Sequence, residues 1–153
     1  MKKITEIKPL KGFGPLKFGA TQQEVEKTLG KPEETEVIDM EGDIQEVEVW
    51  SYWEDGHAVY FEKALDNLCT NFETDHPDAS LFGQKVFELD KDGIIKLMEE
   101  HAFESHEVEE DKDLDELILF FHDAHMQFVF EKEQLVLVSW AVAMDDEEEV
   151  EWP

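Results

Sequence analysis

At 153 residues the chain is long enough for one ordinary domain, or for two small units sharing a core, because a chain of this size buries about 70% of its unfolded surface. Forty Asp and Glu stand against thirteen Lys and no Arg, a formal net charge of -27 at pH 7, which argues against nucleic-acid binding by phosphate neutralisation; the missing Arg removes the planar fork used on phosphates. Hydrophobic residues still make up 41%, eleven of them Phe, so there is enough apolar material to fold.

Residues 1–8 open with positive charge but lead into no apolar run, and no run approaches the roughly 18 residues that span a bilayer, so the expectation is a cytoplasmic protein without membrane contact. The chain then matches itself at a constant offset of 69, from Phe61-Glu62-Lys63 to Phe130-Glu131-Lys132. The same shift carries Gly14 to Gly83, Phe18 to Phe87, Thr21 to Asp90, Val25 to Ile94 and Leu29 to Met98. A duplication decides a fold before any detail does.

In the first unit Leu16-Lys17-Phe18-Gly19 reads as a strand, and Thr21 with Glu24 forms a capping box that starts a helix at about Gln22. Gly30 and Pro32 stop it after Leu29, and Val25 and Leu29 supply its buried stripe. Alternation over residues 46–53, an Asp55-Gly56 turn and a run over 57–61 make a hairpin, followed by a strand at about 68–72. Cys69 is the single cysteine and reads as a small core residue, which fits a reducing compartment. Residues 70–81 read as the linker between units.

The second unit repeats this pattern: strand, Asp90 cap, and a helix to about His101 carrying Ile94, Ile95, Leu97 and Met98, with Gly93 lowering its propensity. Strands follow at 117–122, 126–131 and 134–142. Residues 145–153 are a like-charge run expected to be disordered alone, a solubilising tail in which Trp152 leaves a docking peptide open. The expected architecture is α+β: two tandem helix-plus-antiparallel-meander repeats, 1–75 and 76–144, in one compact body with a sheet face open to a partner, then the acidic tail 145–153.

The segment Gly14-Pro15-Leu16-Lys17-Phe18-Gly19-Ala20-Thr21, leading into Glu24-Val25 and ending Leu29-Gly30-Lys31-Pro32, resembles the repeat of the β-lactamase inhibitory protein and of the SmpA/BamE-like outer-membrane assembly lipoproteins. The resemblance implies a helix packed on an antiparallel sheet and, as in the inhibitor, two such units in tandem offering a concave sheet surface to a protein. Ala20 stands where that pattern has Met, and one Cys leaves no disulfide, so β-lactamase inhibition and an outer-membrane role are not carried over. The chain is also similar in class to bacterial immunity proteins, which are small, acidic and non-catalytic.

Candidate chemistry is sparse. His122 and His125 flank a hairpin turn, but a metal site needs three or four convergent ligands, so surface histidines are the favoured reading. Residues 111–116 copy the start of a calcium loop, but Glu116 replaces its Gly and His122 its closing Glu, which leaves an acidic turn. No nucleophile elbow, P-loop, dinucleotide fingerprint or metalloprotease motif is present, no cofactor is implied, and the expectation is not an enzyme.

Aromatic residues carry more information. Along residues 46–53, Val47, Val49, Ser51 and Trp53 face one way and Glu46, Glu48, Trp50 and Tyr52 the other. Trp50, Tyr52, Glu46, Glu48, Tyr60 and Trp140 form the candidate partner-binding set, aromatic anchors among guiding carboxylates; the alternative is that both faces are covered. The functional expectation is an immunity or inhibitor protein binding a basic protein effector. The alternatives are a housekeeping adaptor, or a metal- or ligand-binding protein using the His122/His125 hairpin.

Overall fold

A computed structural model describes residues 4–39, 46–145, 147 and 149–153. Met1, Lys2 and Lys3 of the basic start, and Asp146 and Glu148 of the acidic tail, lie outside the described residues. The first half carries β1 (Glu6–Lys8), β2 (Gly12–Phe13), β3 (Leu16–Lys17), α1 (Gln22–Leu29), β4 (Glu34–Asp39), β5 (Glu46–Tyr52), β6 (His57–Glu62) and β7 (Leu68–Thr74). The second carries β8 (Ser80–Leu81), β9 (Gln84–Lys85), α2 (Lys91–Glu100), β10 (Glu107–Asp111), β11 (Glu116–Phe121), β12 (Met126–Glu131) and β13 (Gln134–Ala141), and the chain ends in β14 (Ala143–Met144) and β15 (Val150–Glu151).

Local chemistry accounts for both helices. The Thr21 and Asp90 side chains accept the amides of Glu24 (3.1 Å) and Gly93 (2.8 Å), satisfying donors that a helix start leaves unpaired. Gly30 leaves α1 with φ 86°, and its amide closes on the Glu26 carbonyl.

The two meanders merge into one eight-stranded antiparallel sheet, ordered β10-β11-β12-β13-β7-β6-β5-β4. Their last strands meet at its centre, with Val138 opposite Thr74 and Trp140 opposite Phe72. A small sheet, β3-β2-β1-β8-β9, ties the halves together again: β1 pairs parallel to β8, and the Trp140 indole donates to the Gly12 carbonyl at 2.8 Å.

Both helices and the small sheet cover one face of the large sheet. Val25, Ile94 and Met98 share a single core with Phe13, Phe61, Phe72, Phe121, Phe128 and Trp140, all essentially inaccessible. The fold is therefore α+β and built mainly of antiparallel sheet.

Several sequence expectations are corrected. The linker shortens from 70–81 to 75–79, because β7 runs on to Thr74 and β8 begins at Ser80. Ahead of α2 stands a 3-10 turn at Val86–Glu88 rather than a strand. Two strands not expected from the sequence, β4 and β10, form the sheet edges, and every residue in them is exposed. The tail is not a free segment: Met144 pairs with Val150, the Asp145 carboxylate takes the Glu147 and Glu149 amides, and the Trp152 ring lies over Gly19. No described helix is long and apolar enough to cross a membrane.

Candidate functional site

Strand pleating divides β5 into two sets that meet different surroundings. Trp50, 8% exposed, and Tyr52, 4% exposed, point toward α1, and Trp140 is fully buried in the core. The Trp50 indole and the Gln22 amide both donate to the Glu48 carboxylate at 2.6 Å, and the Tyr52 hydroxyl donates to the Gly30 carbonyl at 2.9 Å. Burial, with the nearby Glu26 charge second, pushes the Tyr52 phenol well above its usual range.

Three of the six expected contact residues thus hold the protein together and cannot meet a partner. The helix-facing set of a strand looks like an exposed aromatic set in sequence, because what covers it comes from another element. Glu46 is taken up at the surface by Lys63 at 3.2 Å. Of the expected set, Tyr60 alone projects from the uncovered face, where it is half-buried.

That second face is the candidate site. Residues paired across strands share a side, so one row crosses all eight strands: Glu107, Phe120, Gln127, Ser139, Glu73, Ala58, Ser51 and Glu34. Beside it run Glu109, Ile118, Val129 and Leu137 on one half, and Asn71, Tyr60, Val49 and Glu36 on the other. Phe120, Ile118, Val129 and Leu137 belong to this face and are half-buried, whereas Val49 and Val47, on the same face, are buried although outside the core cluster. Exposed glutamates on β4 and β10 rim it at both edges: Glu34, Glu36, Glu107 and Glu109.

At the centre, the Tyr60 hydroxyl donates to the Glu73 carboxylate. Burial, reinforced by this carboxylate, raises the Tyr60 phenol far above its usual range, so it remains a neutral donor. A groove of about 330 Å³ lies where the face meets the C-terminal hairpin, lined by Ile38, Val47, Tyr60, Glu62, Val142, Met144 and Val150 among others.

Other expected chemistry is not assembled. The His122 ring stacks on Phe120 and reaches Glu107 at 3.1 Å, while His125 sits across the turn with φ 52°. Asp111 accepts the Asp113 and Leu114 amides, an ordinary acidic turn. Among the described residues, no group of three or more His, Cys, Asp or Glu is placed to hold a metal ion. Cys69 is fully buried, and burial drives its thiol far above the usual range, so no thiolate forms near neutral pH.

One buried polar cluster lies beyond what the sequence indicated. His57 and Thr74, paired across β6 and β7, are both inside, and His57 Nδ1 lies 2.8 Å from Thr74 Oγ1. Thr74 Oγ1 also accepts the His76 amide at 3.2 Å, and Phe13 meets the His57 ring edge-on. Burial pushes the His57 imidazole down to about 4. The sequence signal was the core-facing parity of His57, Val59 and Phe61 along β6.

No protein-family model, curated protein or solved structure matches this chain. The class that fold and site define is an α+β protein, mainly antiparallel sheet, with two helices on one face of its large sheet and, among the described residues, no helix on the other.

Proposed function

We propose that this chain is a non-catalytic binding protein that engages a basic protein partner through the uncovered face of its large sheet, as an immunity or inhibitor protein for a basic effector. One observation carries the reading: an apolar sheet face outside the core is framed at both edges by exposed glutamates. Apolar area at the centre of an interface and charge at its rim are the ordinary division of labour in protein recognition. A second copy is the wrong occupant, since each chain carries -27 and face-to-face pairing would bring glutamate edges together.

We also infer that the two halves are tandem repeats, 1–75 and 76–144. In support, α1 and α2 start 69 residues apart, at 22 and 91, and β6 and β12 span 57–62 and 126–131, again 69 apart. The SmpA/BamE and inhibitor-like layout, with two units presenting one sheet to a protein, is compatible with this arrangement. A cytoplasmic location is supported by the free thiol of Cys69, which suits a reducing compartment.

The test is affinity capture from native lysate at low salt and at about 0.5 M salt, where the Debye length falls to a few ångströms. The expected result is one basic protein captured in near-equal amount, released by salt, and lost on Leu137→Glu on the open face. Retention by Leu137→Glu, or a clean lane at both salts, overturns the reading.

A further inference from the structure

The groove at the foot of the open face has a chemistry narrower than the face itself. Its volume, about 330 Å³, is at the small end for ligand sites, the size of a single long side chain rather than a cofactor. Val47, Met144 and Val150 give it apolar walls, and Tyr60 adds an aromatic one. One carboxylate lines the groove, Glu62, which accepts the Thr70 hydroxyl at 3.2 Å; a second, Glu73, lies beyond the lining, where it accepts the Tyr60 hydroxyl. Among the described residues no lysine forms an ion pair with either carboxylate.

We propose that this groove receives one lysine or arginine side chain of the protein partner, with its stem against the apolar walls and its cationic head on Glu62 beside the Tyr60 ring. The inference rests on the binding reading above and names what that surface selects. Long cationic side chains lay their methylenes along apolar surface while the head finds charge, and an aromatic face adds cation–π attraction. The hydroxyl bond from Thr70 holds the Glu62 carboxylate in place before the head arrives, which reduces the ordering cost of binding. The C-terminal hairpin therefore acts here as a wall, through Met144 and Val150.

The experiment is an NMR titration of the full chain, at about 0.15 M salt, with Nα-acetyl-arginine amide and Nα-acetyl-lysine amide; Nα-acetyl-norleucine amide is the uncharged control. Saturable shifts at Tyr60, Val47 and Val150 are expected with either cation and not with norleucine. Glu62→Gln should weaken them about five-fold or more, in line with losing a charge-assisted hydrogen bond. Met144→Lys, at a half-exposed position, should abolish them by placing the chain's own ammonium in the groove, and Glu36→Gln on the rim should change nothing. Shifts that do not saturate, that follow the glutamates of both sheet edges, or that survive Glu62→Gln and Met144→Lys overturn the proposal. If they do so while a basic protein is still captured and lost on Leu137→Glu, the groove inference alone falls.

Discussion

His57 gives a stability test whose sign and size follow from the structure. Its ring is 5% exposed, held between Thr74, Phe13 and the neighbouring His76, and its imidazole is pushed down to about 4 by burial first, with His76 adding to the fall and Asp55 opposing it. An unfolded chain takes up that proton near pH 6.5. Between these values the unfolded state binds more protons than the folded one, so stability falls as pH falls from about 6.5 toward 4 and is insensitive to this group above that window. From pH 8 to pH 4.5 the loss is about 2.5 kcal/mol by linkage. Acidification also relieves repulsion among the forty carboxylates, so the informative quantity is a difference between proteins. His57→Asn, with an amide near the Nδ1 position, should be less stable than the wild type at pH 8, and the gap should narrow by about 2.5 kcal/mol by pH 4.5. Urea unfolding at both pH values measures this. Parallel pH profiles, or a His57 titration near 6.5 by NMR, would refute the reasoning.

Other features make equally direct predictions. The two-residue turn between β12 and β13 puts Lys132 at φ 51° and Glu133 at φ 67°, conformations that favour Asn and Gly. Lys132→Asn with Glu133→Gly should therefore raise stability by about 1 kcal/mol in denaturant titration. Removal of residues 145–153 should lower the unfolding free energy by about 2 kcal/mol, since Val150 packs against the core and Trp152 covers Gly19; a merely solubilising tail would leave the midpoint unchanged. The Cys69 thiol should resist a thiol reagent in the native state and react on unfolding, and rapid native labelling would show that β7 opens readily.

What the sequence determined by itself is local. Thr21 with Glu24, Gly30 with Pro32, and the Asp90 cap each satisfy or end a helix through neighbours a few residues away, and α1 occupies Gln22–Leu29 as expected. Strict alternation and the Asp55-Gly56 turn likewise placed β5 and β6, because a period of two needs no distant partner. The edge strands β4 and β10 were hidden for the opposite reason: runs such as Glu107-Val108-Glu109-Glu110-Asp111 lack apolar signal and exist as strands because β5 and β11 offer them a hydrogen-bonding edge. Tertiary structure alone decided which face of the sheet the helices cover. Trp50, Tyr52 and Trp140 carry the sequence signature of binding aromatics, but the helices and the small sheet lie over them, while Tyr60, Glu62 and Glu73 gained their setting from strands and a tail brought together over long separations. Alternation separates the two faces of a strand, and only packing between distant elements determines which of them meets water.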